Sequence, residues 1–140
     1  MKKTLTLIIT LLVSIALVFA NGSKENTTTE SSTNKVLRVA MECGYAPYNW
    51  TQPTDANGAV PIADSNDYAN GYDVMMAKYI AETMGYDLQI VKLDWDSLVP
   101  AVQSGVVDCV IAGQSITSDR LQMVDFSTPY YYASIITLVD

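Results

Sequence analysis

Two short segments carry most of the residues able to do chemistry. Gly113-Gln114-Ser115-Ile116-Thr117-Ser118-Asp119-Arg120 is small and polar and ends in one of only two arginines in the chain. Free backbone N–H groups, hydroxyls and a guanidinium together suit a carboxylate. An arginine fork can bond both oxygens of that carboxylate at once, which a lysine cannot. Without a ligand, Arg120 has a plainer option, pairing with Asp119 or Asp125 on the surface. The second segment, Gly44-Tyr45-Ala46-Pro47-Tyr48-Asn49-Trp50, sets three aromatics in a turn-rich stretch. Tyr48 and Trp50 are residues more often found in a core, whereas Tyr45 is the better candidate to stack on a bound molecule.

Composition removes several other chemistries. The chain has 140 residues and no histidine, so it lacks the usual base of Ser/His and Cys/His hydrolases and the commonest zinc ligand. Its 8 Lys+Arg against 15 Asp+Glu give a formal net charge of −7, which argues against a nucleic-acid partner. Asp64-Ser65-Asn66-Asp67 has a faint likeness to a calcium loop, but Met75 stands where the bidentate Glu is required. No metal or cofactor is implied.

The elements that must position these residues can be read from hydrophobic spacing. Val36 to Met41 is an apolar run expected as a strand buried on both faces, as in parallel sheets. Thr51 to Asn70 is expected as an ordered loop or hairpin, with a short extended piece at Ala59 to Ala63. Gly71 to Met84 has helical spacing, with Tyr72, Met76, Tyr79 and Ile80 on one stripe and Gly85 as C-cap. Asp87 to Leu93 reads as a second strand. Asp94 to Gly105 reads as a short helix capped by Asp96 or Ser97, with Pro100 in its first turn. Val106 to Gly113 is expected as a third strand, Thr117 to Val124 as a helical turn from a Thr or Ser cap, and Ser134 to Val139 as a fourth strand. The class is α/β, a mainly parallel sheet flanked by helices, with ligands bound beyond the carboxyl ends of the strands. In that arrangement Cys43 lies past the end of the first strand and Cys109 near the start of the third. At about 3.3 Å per residue this separates them beyond disulfide reach, and two free thiols are expected.

The N-terminus reads as an address. Lys2 and Lys3 precede an apolar run from Leu5 to Phe19 that ends in Val18-Phe19-Ala20, the pattern of a secretory signal over residues 1–20. An uncleaved anchor is the alternative, because the run is near the lower limit of a span. No lipid-accepting cysteine follows; Asn21 stands at that place. Residues 21–35 are polar and expected to be a disordered tether.

Five ordered motifs then share a resemblance. They are Gly71-Tyr72-Asp73-Val74 through Met84, Asp94-Trp95-Asp96-Ser97-Leu98-Val99-Pro100-Ala101, Asp108-Cys109-Val110-Ile111-Ala112-Gly113, Ser115-Ile116-Thr117 to Arg120, and Val124-Asp125-Phe126-Ser127-Thr128-Pro129-Tyr130-Tyr131. Together they resemble the family 3 extracellular solute-binding proteins, the polar amino-acid-binding components of bacterial ABC importers with a type II periplasmic-binding fold. The resemblance implies non-catalytic capture of an amino acid, delivery to a membrane permease, a monomer, and a periplasmic or cell-surface location. By position it implies that Arg120 clamps the substrate carboxylate with help from Ser115, that the Gly113 carbonyl accepts from the ammonium, that Tyr45 stacks on the side chain, and that Tyr48 or Trp50 covers the ligand. Met75 departs from the family's signature helix, which carries a second acid there.

The resemblance further implies two lobes, of which residues 36–133 form a partial first lobe and residues 134–140 begin a strand crossing towards a second. The acid that neutralises the ammonium belongs to that second lobe, so weak or no ligand binding is expected of the 140-residue chain alone. Two other classes share the fold: dehydratases of cyclic carboxylates, which need a general acid or base, and ligand-sensing domains of signalling proteins.

Overall fold

The computed structural model describes residues 35–134 and 136–138. The expected export signal and nearly all of the expected tether lie outside the described residues. In chain order the elements are β1 (Val36–Met41), β2 (Gly44–Tyr45), β3 (Asn49–Gln52), β4 (Val60–Pro61), β5 (Tyr68–Asn70), α1 (Tyr72–Met84), β6 (Asp87–Lys92), α2 (Leu98–Gln103) and β7 (Cys109–Val110). Tight 3-10 turns stand at Ala56–Gly58, Trp95–Ser97 and Arg120–Gln122.

The main sheet is parallel, in the order β6-β1-β7. Its centre is β1, whose Val39, Ala40 and Met41 are completely buried together with Ile90, Val74, Ala77 and Leu98. A strand with apolar side chains on both faces needs cover on both, and α1 and α2 belong to the same core cluster. The edge of β7 is fixed by an ion pair. Arg38 Nε and Nη2 donate to the two oxygens of the Asp108 carboxylate at 3.0 and 2.7 Å, and the Arg38 backbone N–H donates to Asp108 as well. The Arg38 guanidinium holds the Asp108 carboxyl below its ordinary value.

Several elements differ from the sequence expectation, each for a physical reason. The third strand shrinks from Val106–Gly113 to two residues, because the Asp108 side chain replaces a ladder acceptor opposite Arg38. The expected hairpin over 51–70 is part of a four-stranded antiparallel sheet, β2-β3-β5-β4, to which the 44–52 segment contributes two strands. The apolar stripe expected on α1 holds in part: Met76 and Ile80 are partly buried against the core, while Tyr72 and Tyr79 are exposed. The buried residues of the helix are Asp73, Val74, Ala77 and Ala81. Two alanines let the helix approach the sheet closely, and the bulky tyrosines turn outward. Ser97 occupies the N-cap position of α2 without a side-chain cap bond. Among the described residues, 134 and 136–138 form no ladder.

Other expectations stand as read. Gly85 caps α1 in the left-handed conformation; the expected helical turn forms at Arg120–Gln122, but its N-cap is Asp119 without a side-chain cap bond, and Thr117 contributes an Oγ1 that accepts the Arg120 N–H at 3.3 Å. Cys43 and Cys109 are free; Cys109 pairs with Val39, four residues short of Cys43.

Gly71 is the joint between the two sheets' connecting segment and α1. Its φ is +127°, and a Cβ there would lie 2.3 Å from the Tyr48 carbonyl oxygen. Gly71→Ala is expected to lower unfolding free energy by at least about 2 kcal/mol through strain and overlap, read by urea denaturation. The thiols give a second check. Burial pushes Cys43 up to about 11, so a thiol reagent at neutral pH is expected to react slowly with the native protein and to find two thiols, without reductant, once the chain is unfolded.

Candidate functional site

Beyond the carboxyl ends of β1, β6 and β7 the chain gathers the loop 44–50, the turn at Trp95 and the segment 113–133. A cavity of about 360 Å³ opens there, lined by Tyr45, Tyr48, Gly113, Gln114, Ser115 and the segment from Phe126 to Ala133. Aromatic rings form one wall. Tyr45 and Tyr48 stack with centroids 5.0 Å apart, and Tyr131 meets Tyr48 edge-on at 5.4 Å. Tyr72 packs against both Tyr130 and Tyr131. The Gly113–Ile116 segment forms the other wall and approaches the rings closely: Gly113 has φ +60°, and a Cβ on it would lie 3.3 Å from the Tyr45 ring.

A buried chain of hydrogen bonds holds the two walls in register. Asp73, fully buried at the start of α1, accepts from Asn49 Nδ2 at 2.7 Å and from the Tyr130 hydroxyl at 2.8 Å. The Asn49 side-chain oxygen accepts the Cys43 N–H at 2.8 Å, and the Tyr130 hydroxyl oxygen accepts the Gly113 N–H at 3.2 Å. The Asp73 and Tyr72 N–H groups donate to the Tyr48 and Pro47 carbonyls. Thus the aromatic loop, the helix start and the polar loop converge on one carboxylate. Burial raises the Asp73 carboxyl above its ordinary value, opposed by the bonds from Asn49 and Tyr130. Burial and the bond to Asp73 raise the Tyr130 hydroxyl, keeping it a donor at all ordinary pH.

Four of the six sequence-derived site residues, Tyr45, Tyr48, Gly113 and Ser115, line this cavity. Trp50 does not; it sits in β3, paired with Gly44 and Asn70. Arg120 lies in a neighbouring groove of about 260 Å³ with Trp95 and Gln114, the last of which also lines the aromatic cavity. Arg120 Nη1 donates to the Ser115 carbonyl at 2.9 Å, and the guanidinium lies over the Trp95 ring at 5.4 Å. It forms no ion pair with Asp119 or Asp125 among the described residues. Asn49 and Tyr130 were passed over in the sequence. Asn49 carried a usable signal, a polar residue between two aromatics at the head of a strand; Tyr130 lies in a motif whose role only the fold reveals. A larger open groove of about 730 Å³ beside Arg38, Gln89 and Lys92 has no aromatic wall, and Arg38 there is committed to Asp108.

Comparison with known proteins adds an independent line. Residues 37–140 match the model of the bacterial extracellular solute-binding proteins, family 3. A probable histidine-binding protein of Campylobacter jejuni is 30% identical, the match covering 94% of this chain and 47% of that protein. The arginine-binding extracellular protein ArtP of Bacillus subtilis is 31% identical, covering 96% of this chain and 46% of that one. The chain therefore spans about half the length of the curated relatives it matches. Among solved structures, the arginine-bound form of domain 1 from TmArgBP has 32% identity and a TM-score of 0.56, covering 69% of this chain and 67% of that domain.

The titration of Asp73 gives a test of the network. Its folded value is raised above 3.8, so the folded state holds the proton more tightly than the unfolded state. Below 3.8 both states are protonated and the group contributes no pH dependence; as pH rises from 3.8 through the raised folded value the unfolded chain ionises first and stability is lost. The unfolding free energy of wild type minus that of Asp73→Asn is expected to fall as pH rises from 3.8 towards neutrality. A flat difference would show that burial does not control this carboxyl.

Proposed function

This chain belongs to the bacterial extracellular solute-binding proteins of family 3, and on that premise we propose that it captures an amino acid by its carboxylate for delivery to the membrane permease of an ABC importer. One observation carries the reading: a cavity that faces the Tyr45 and Tyr48 rings towards the polar Gly113–Ser115 segment, with Arg120 tied to that segment through the Ser115 carbonyl. In this reading the Arg120 fork and the Ser115 N–H and hydroxyl take the carboxylate, and the Gly113 carbonyl takes the ammonium. Tyr45 stacks on the side chain and Tyr48 covers it; Trp50 supports the loop from behind.

A cationic side chain is the best match for the far end of the cavity. Tyrosine faces attract cations, and the net charge of −7 raises their local concentration. The relatives described as arginine-binding and histidine-binding point the same way. The role is binding without turnover, without metal or cofactor, by a monomeric chain without a nucleic-acid partner. The address at residues 1–20 sends it to the periplasm or cell surface, residues 21–35 tether it, residues 36–133 supply the first lobe and residues 134–140 lead towards a second.

The test screens a panel of L-amino acids against the purified chain, of which weak or no binding is expected, and in parallel against the chain extended through any downstream coding sequence, on which the following shifts are read. L-arginine is expected to raise Tm most; at a concentration a hundredfold above Kd the gain is about 2.7 kcal/mol. Arg120→Ala is expected to abolish the rise for every ligand, whereas Tyr45→Ala changes the order of preference. Undiminished binding after loss of Arg120 overturns the carboxylate assignment. Turnover of a cyclic carboxylate with no amino-acid response overturns the transport reading in favour of an enzyme of the same fold.

A further inference from the structure

We propose that Gln103 is a positioning residue for Arg120: its side-chain amide latches the Met123 carbonyl and so fixes the turn that carries the guanidinium to the body of the fold. The proposal rests on the amino-acid reading above and adds to it a residue that acts through the backbone of another segment.

Arg120 stands in the Arg120–Gln122 turn, on a largely exposed segment that follows β7. The hydrogen bonds of that segment are short in range. The Arg120 N–H reaches Thr117 Oγ1, and its Nη1 reaches the Ser115 carbonyl. The Leu121 N–H donates to the Thr117 carbonyl, the Gln122 N–H to that of Asp119, and the Met123 and Val124 N–H groups both to that of Arg120. Such bonds shape the turn without deciding where it stands. Among the described residues, the one hydrogen bond from residues 117–124 to another element runs from Gln103 Nε2 to the Met123 carbonyl, at 3.2 Å. On the other side of Arg120 the nearest comparable anchor is the Gly113 N–H on the Tyr130 hydroxyl, at the start of the polar loop.

Gln103 is placed to hold what it grips. It is the last residue of α2, whose Leu98 and Ala101 are buried in the core, and it lines the same groove as Arg120 and Met123. Met123 joins the two ends: its N–H donates to the Arg120 carbonyl at 2.9 Å, and its own carbonyl accepts from Gln103. The restraint at Gln103 therefore passes through one residue to the Arg120 backbone. An exposed amide–carbonyl bond adds little to global stability because water competes for both partners. Its effect is local, on a turn that few other contacts protect from opening. A turn already held in the free protein spares the ligand part of the cost of ordering it, and that saving appears as affinity.

The experiment compares wild type, Gln103→Met and Gln103→Lys. Methionine keeps the length and helix propensity without a donor, and lysine restores a donor on a longer stem. In the ligand-free full chain, amide exchange at Met123 and Val124, whose N–H groups bond the Arg120 carbonyl, is followed by NMR against Ile111, whose N–H bonds the Ala40 carbonyl. Gln103→Met is expected to speed exchange at Met123 and Val124 about fivefold and to leave Ile111 and the urea midpoint unchanged. Gln103→Lys is expected to return both rates to within about twofold of wild type. In the chain extended through any downstream coding sequence, Gln103→Met is expected to weaken L-arginine and L-histidine by the same factor, about fivefold by calorimetric titration, because the carboxylate is common to both. Wild-type exchange at Met123 and Val124 in Gln103→Met overturns the proposal, as does an equal acceleration at Ile111, which marks general loosening. Faster exchange with undiminished affinity for both ligands overturns the role in positioning Arg120. If the extended wild type binds no amino acid, the functional reading fails by itself, and the exchange rates alone decide the latch. Should Gln103→Met fold poorly, Gln103→Ala, which also removes the donor, carries the same comparison.

Discussion

Taking the Asp73 carboxyl out of water costs several kcal/mol unless hydrogen bonds replace its hydration, and the chain supplies those bonds from Asn49 and Tyr130. Neither donor is free to choose its place. Asn49 is held by the Cys43 N–H on its other side, and the Tyr130 hydroxyl by the Gly113 N–H. Breaking any link would leave a buried polar group without a partner, at about 1–3 kcal/mol each. The network therefore acts as a registration device: it is satisfied in one arrangement of the β1 loop, the start of α1 and the β7 loop, and in that arrangement the aromatic wall faces the polar wall.

This device explains features of the fold that would otherwise be separate. Gly71 must be glycine because α1 starts hard against the Tyr48 carbonyl, the approach that lets Asp73 reach Asn49. The small antiparallel sheet exists because the 44–52 segment has to double back to place Asn49 inside and the two tyrosines outside. On the far side of the main sheet's central strand, the Arg38–Asp108 pair fixes where β7 begins and hence where Gly113 ends up. The exposed pair would be worth little as a source of stability. Its value lies in register, since two oxygens of one carboxylate meet the side chain and backbone of one residue.

Much of this was legible in the residues and some was not. Strands with apolar runs, the helix from 72 to 84 with its glycine stop, and the two functional loops could be read because each depends on local pattern. The buried face of α1 could be read only in part. Of Tyr72, Met76, Tyr79 and Ile80, Met76 and Ile80 pack on the core, but the residues buried outright are Asp73, Val74, Ala77 and Ala81, and the tyrosines are left outside. The brevity of β7 was hidden because Asp108 looks like a loop residue until Arg38 is found opposite it. Tyr45, Tyr48, Gly113 and Ser115 came together as the loops suggested, whereas Trp50 went to sheet pairing and Arg120 to the Trp95 face. Which of several aromatics a cation or a core will claim depends on distances that spacing alone does not encode.

The division of labour in the site has a consequence for selectivity. The polar wall comes from the β7 loop and the aromatic wall from the β1 loop, and the two communicate through Tyr130, Asp73 and Asn49. In the proposed reading, groups common to every amino acid meet the polar wall, while the variable side chain meets the rings. Because the linking network is buried and fully paired, a change of ring identity at Tyr45, which is close to half exposed at 46%, leaves the polar wall where it is. Ring identity can then change by surface substitution at little cost in stability, while the polar wall stays fixed by the core. That separation is a physical reason for one scaffold to serve ligands with different side chains and the same backbone.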